Sequence, residues 1–203
     1  MEKQGVLMKY RAITGENFYV QELKNACQFL LQHPELENKR QAFQERDILN
    51  CVSESNFNKK FQTIQKRLQV FTPKLMELFL KVDYTTTKFI NLYAILSQER
   101  FFAEFMDEVI KEKYFLLDFE LTNYDFYEFM ERKKEQSEII QQWSDAGCHK
   151  MIHKLKNFLV EANFLEKSPS GELYLIKRPL VDMTVIEEIE KHGNAKILKL
   201  MLY

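Results

Sequence analysis

Chain breakers are scarce in this sequence: 5 Gly and 4 Pro stand among 203 residues, about 4% together against roughly 12% in average usage. A chain so poor in turn residues is badly suited to a turn-rich β-sandwich, a collagen-like repeat or a glycine loop around a phosphate. Long helices joined by short loops are expected instead. Apolar residues supply 45% of the chain and charged residues 29%, which places it among folded rather than disordered sequences. The length leaves room for one domain or for two small ones packed together.

Apolar spacing places the helices. Phe18, Leu23, Ala26, Cys27, Leu30 and Leu31 fall mostly at three- and four-residue intervals, which predicts a helix that begins at Thr14 or Gly15 and stops at His33-Pro34. A more polar helix is expected from Pro34 toward Cys51. Ser53 or Ser55 caps the next, with Phe57, Phe61, Ile64 and Leu68 as a narrow stripe. Pro73 suits the first turn of a short helix through Val82, and the Thr-rich stretch 84–87 leads into another. A helix is expected over 101–114, and Thr122 with Asp125 resembles a capping box that opens the helix of Phe126, Phe129 and Met130. After a helix over 151–162, the runs 164–167 and 172–178 flank Ser168-Pro169-Ser170-Gly171, the one good hairpin signal. A last helix over 182–192 breaks at Gly193, and 195–202 reads as a short apolar tail. The predicted architecture is all-α with a short C-terminal β-hairpin. A boundary near Gln136 separates a helical domain over 1–135, with a helix-turn-helix-like unit near 45–68, from a winged-helix-like subdomain over 136–203. The two can pack as one globular unit.

The overall charge, 29 basic against 30 acidic residues, points to no partner by itself. Cys27, Cys51 and Cys148 are odd in number and far apart, which fits neither a disulfide framework nor a metal knuckle and suits a reducing cytoplasm. Residues 1–10 carry charges and lack the apolar core of a secretory signal. No window approaches 18 uninterrupted apolar residues, so neither a membrane span nor a membrane partner is expected.

A weak internal repeat carries more information. Ile48-Leu49-Asn50-Cys51-Val52-Ser53 aligns with Ile139-Ile140-Gln141-Gln142-Trp143-Ser144, and Lys59, Phe61, Ile64 and Leu68 follow in step with Lys150, Ile152, Leu155 and Leu159. Each copy reads as helix, Ser-capped turn and longer basic helix, the grammar of a helix-turn-helix, and the second copy adds a wing. From Ser55 to Met76 stand Lys59, Lys60, Lys66, Arg67 and Lys74 with no acid. From Ala146 to Val160 stand His149, Lys150, His153, Lys154 and Lys156, again with no acid. At about 100° per residue, Met151, Ile152, Leu155, Phe158, Leu159 and Ala162 gather on one side of this second helix. His149, Lys150, His153, Lys156 and Asn157 lie away from it, with Lys154 on the flank. A face of cations and amides suits a DNA groove, and Lys167, Lys177 and Arg178 on the wing can clamp the backbone beside it.

Catalytic signals are thinner. His149 and His153 have the i, i+4 spacing of a shared metal, and Cys148 is adjacent, but no Glu completes the zincin pattern, so neither metal nor cofactor is expected. Cys148 as a nucleophile lacks an identifiable base. The Phe residues at helical spacing read as core rather than as base-stacking platforms. The segment 101–145 carries 12 acidic residues against 5 basic ones; it repels phosphate and suits a protein partner.

The order of these segments resembles the BrxA family, small accessory proteins of bacteriophage exclusion (BREX) defence systems. Tyr10-Arg11-Ala12-Ile13-Thr14, followed by Phe18 and Glu22, is similar to the family's opening. Arg67-Leu68 at a helix end is similar to its recurrent Arg-Leu. The basic helix running into Leu159-Val160-Glu161-Ala162-Asn163-Phe164-Leu165 and a hairpin resembles its closing segment. The resemblance spans nearly the whole chain. It implies a mostly helical, NusB-like bundle, double-stranded DNA binding without known catalysis, and other subunits of a host-methylating, phage-blocking system as partners. Two readings follow: a non-catalytic duplex-DNA-binding accessory protein, or an adaptor that docks other subunits through its acidic helices, with DNA or RNA binding incidental. The residues leave the oligomeric state open, a monomer included.

Overall fold

A computed structural model describes residues 9–202. The expectation that the N-terminus carries no secretory signal falls mainly on residues 1–8, outside the described residues. The chain runs α1 (Val20–Gln32), α2 (Lys39–Glu45), α3 (Glu54–Leu68), α4 (Pro73–Lys81), α5 (Tyr84–Leu96) and α6 (Arg100–Phe105). A π-helical turn, Met106–Ile110, joins α6 to α7 (Lys111–Phe115). Then follow β1 (Glu120–Thr122), α8 (Asn123–Gln136), α9 (Glu138–Gln141), α10 (Asp145–Glu161), β2 (Leu165–Lys167), β3 (Leu173–Ile176), α11 (Met183–His192) and α12 (Ala195–Leu202). The fold is mainly helical with a C-terminal hairpin, as the spacing predicts.

The axis is α5. Asp83 caps it by accepting from the Thr85 and Thr86 amides, and Thr86, Thr87 and every residue from Phe89 to Leu96 are buried. A helix apolar on all sides has to be surrounded, and α1, α3, α4, α6, α10 and α12 all pack on it. Beyond it, Gly193 is required by close approach: a Cβ there would stand 2.5 Å from Tyr93 Oη and 2.9 Å from the Ile189 carbonyl. The Asn194 amide donates to that same Tyr93 hydroxyl at 2.6 Å.

Several elements differ from expectation, among them α10, which begins at Asp145 rather than 151. The first helix starts at Val20 rather than Thr14, because Tyr19 is left-handed at φ 50 and the preceding chain passes Phe18 into the core. The polar helix is confined to Lys39–Glu45, and left-handed Asp47 and Asn50 close it. Residues 195–202 form a helix that buries Ile197, Leu198, Leu200 and Met201. A third strand, β1, pairs antiparallel with β3, so the sheet order is β1-β3-β2. The core runs unbroken past Gln136: Phe18 meets Phe158 at 5.6 Å and Phe101 meets Trp143 at 5.9 Å between ring centres.

Candidate nucleic-acid interface

Ser144 opens α10 by accepting from the Gly147 amide at 3.2 Å. The helix turns Cys148, Met151, Ile152, Leu155, Phe158 and Leu159 into the core. Its outer side exposes Ala146, His149, Lys150, His153 and Asn157, and no acidic residue stands between Asp145 and Glu161. His149 Nδ1 lies 3.2 Å from the Tyr127 hydroxyl of α8, and the Asn157 amide lies 3.0 Å from His153 Nε2. These contacts hold three of the outward side chains, His149, His153 and Asn157, along the helix surface. Lys154 is half-buried on the flank and donates to Asn17 Oδ1 at 2.8 Å. Burial lowers its pKa, against the opposing charges of Glu161 and Glu16.

The hairpin leaves directly from α10 and packs against it through β2. Gly171, at φ 79, makes the turn, and its amide donates to the Ser168 carbonyl at 2.9 Å. Lys167, Lys177 and Arg178 are exposed, with Lys177 paired to Glu166 at 2.8 Å. Lys88 of α5, which the sequence reading did not single out, donates to Asn163 Oδ1 at 3.3 Å just past the end of α10.

The basic helix α3 presents less. Lys59 is exposed and Lys66 half-buried. Lys60 is held between Glu22 at 2.9 Å and the carbonyls of Leu49 and Asn50 at 3.0 and 3.2 Å. Burial opposes its charge, but the hydrogen bond and charge of Glu22 outweigh burial and raise its pKa.

Two predicted contacts require correction. Arg67 is 2% exposed. Its guanidinium donates to the carbonyls of Phe18 and Asn17 and to Asn91 Oδ1. Burial pulls its pKa down to about 10, which still leaves it charged at neutral pH. Lys156 is also buried: its ammonium sits over Phe126, Tyr127 and Tyr174 and donates to Asn123 Oδ1. The expectation that Lys156 lies away from the apolar side is also corrected: at about 100° per residue it stands as close to Leu155 on one side as Lys154 does on the other, and the aromatic residues of α8 and β3 close over it. Neither cation is available to a phosphate in this fold.

No group of three or more His, Cys, Asp or Glu that could hold a metal occurs among the described residues. Burial pushes the Cys27 thiol up to about 12 and raises that of Cys148, so both are thiols rather than reactive thiolates near neutrality. Among the described residues, no helix is long and apolar enough to cross a membrane. Away from α10, Glu108, Glu112, Asp118, Asp125 and Glu128 line a groove of about 280 Å³ together with Lys113 and Arg132.

Set against known proteins, the family model described as BrxA matches residues 8–193. A curated relative, "BREX protein BrxA" of Bacillus cereus (strain H3081.97), is 31% identical over 168 residues, which is 83% of this chain and 82% of the relative. The crystal structure of an uncharacterized protein from Magnetospirillum magneticum matches with a TM-score of 0.77 at 14% identity, over 95% of this chain and 98% of that one. That likeness is one of fold.

Proposed function

The chain belongs to the BrxA family, and on that premise we propose that it is a non-catalytic, double-stranded DNA-binding accessory protein of a BREX-type phage-defence system. The observation that carries the DNA reading is the outer face of α10, where His149, Lys150, His153 and Asn157 are exposed with no acid among them. In a chain of net charge −1, attraction to a polyanion has to come from a local patch of this kind.

Connectivity supports the same reading. The succession β1, α8, α9, α10, β2, β3 with sheet order β1-β3-β2 follows a winged helix-turn-helix, in which the helix before the hairpin enters the major groove. The hairpin then lies along the backbone, where Lys167 reaches phosphate. Helix α3 adds Lys59 and part of Lys66 rather than a full second reading head, so the α10 unit with its wing is the principal contact surface. Phosphate contacts supply affinity, and Asn157 is the outward side chain best suited to a base edge.

The test compares a fluorescent DNA duplex with an RNA hairpin of equal phosphate count at low salt. The duplex should bind more tightly. Equal or tighter binding of the hairpin would transfer the site to RNA.

A further inference from the structure

Of the 17 phenylalanines, all but Phe115 and Phe119 are buried. Phe115 ends α7 and Phe119 lies in the loop that follows, together with Leu116 and Leu117, and Phe115, Leu116 and Leu117 are 68%, 70% and 76% exposed. Three consecutive large apolar side chains in water have no folding rationale. Leu117 is also left-handed at φ 57, a conformation that disfavours a branched side chain and that Asn or Gly takes readily. Neither burial nor backbone preference accounts for leucine there.

Leu116 itself lines the groove of Glu108, Glu112, Asp118, Asp125 and Glu128, in which Lys113 pairs with Asp118 and Asp125 and Arg132 adds a second cation, so the apolar segment borders a groove whose five carboxylates outnumber its two cations. The adjoining edge of the sheet is closed to strand addition. The Glu120 amide is taken by Asp118 Oδ1 at 3.2 Å and the Thr122 amide by Asp125 Oδ2 at 2.6 Å, which leaves no free N–H on β1 for an incoming strand. Recognition here has to run through side chains.

We propose that the 115–119 segment and the acidic groove form a docking surface for another protein subunit of the same defence system, one whose contact region sets Lys and Arg around an apolar pocket. Charge complementarity selects this occupant. The excess of carboxylates repels nucleic acid, and in a second copy the apolar pocket of Leu198 and Leu202 is bounded by Glu190 as well as by Arg178 and Lys199, which opposes an acidic partner face. The proposal rests on the family membership stated above and not on DNA binding, so the two can fail separately.

The experiment expresses the tagged chain with each other protein of its defence system in turn. Retention and affinity are measured for the unaltered chain, for Leu117→Asn with Phe115→Ser, and for Glu112→Lys with Glu128→Lys. One subunit should be retained, and each double variant should weaken it about tenfold or more. Leu117→Asn alone should melt no lower than the unaltered chain, because Asn tolerates the left-handed backbone. Duplex binding, measured on the same variants, should not fall. The proposal is overturned if no subunit is retained or if retention ignores both double variants. It is also overturned if sedimentation shows self-association that the variants abolish, since the occupant is then a second copy.

Discussion

The Lys156 ammonium stands 4.6 Å from the ring centre of Phe126, buried where α8, α10 and β3 meet. Tyr127 and Tyr174 complete an aromatic enclosure, each 5.6 Å away, and Asn123 accepts the hydrogen bond at 2.6 Å. The cation is therefore a pin between the helix that faces outward and the sheet behind it.

Replacing that pin separates structure from binding. Lys156→Met keeps most of the volume and loses a cation–π contact, which should cost about 1–2 kcal/mol. Lys156→Glu sets a carboxylate against three ring faces and should cost about 3 kcal/mol or more. Thermal melts check both, and a Glu variant as stable as the unaltered chain would show that the enclosure is not closed in solution.

Arg67 makes a comparable claim on the other side of the molecule. It ties α3 to the Asn17 and Phe18 carbonyls and to Asn91 of α5. Arg67→Ala leaves buried acceptors unpaired and should lower stability by about 3 kcal/mol or more. Arg67→Lys should recover only part of this, since one ammonium cannot replace the forked geometry. Chemical denaturation reads the difference.

These two residues mark the limit of what sequence alone conveys. The stripes Phe57-Phe61-Ile64-Leu68 and Met151-Leu155-Phe158 fix their helices because each lies within one element, and the capping box at Thr122 and Asp125 is equally local. The burial of Arg67 and Lys156 depends on partners 24 to 50 residues away along the chain. A count of charges treats every lysine as solvated. Strand β1 escapes notice for a related reason: at three residues it has no alternation to detect, and its pairing with β3 reaches across more than fifty residues. The exposed face of α10 was legible because a helix that buries one side shows the other.

A pH dependence follows from Glu104. Burial disfavours its carboxylate, but hydrogen bonds from Tyr10 at 2.6 Å and Arg100 at 2.7 Å, with Lys133 at 2.9 Å, outweigh burial and hold its pKa below the ordinary value. A carboxyl depressed on folding contributes stability that is full above its unfolded pKa, about 4.3, and is lost as pH falls through the folded value. Glu104→Gln should therefore be less stable than the unaltered chain at neutral pH, with the gap narrowing as pH falls below about 4. Melting curves of both proteins across that range check the sign; a gap independent of pH would remove the carboxylate from the account.

The most direct test of DNA binding through the α10 face is the salt dependence of duplex affinity, because each neutralised phosphate releases counterions and adds about 0.9 to the slope of log K against log salt. Lys150 and Lys167 are both exposed and neither pairs with a carboxylate among the described residues, so Lys150→Gln with Lys167→Gln should leave the melting temperature nearly unchanged. The unaltered chain should show a steep negative slope, and the double variant should reduce that slope by about two while weakening binding. A flat plot for the unaltered chain, or identical slopes for the two proteins, would contradict a duplex held on this face.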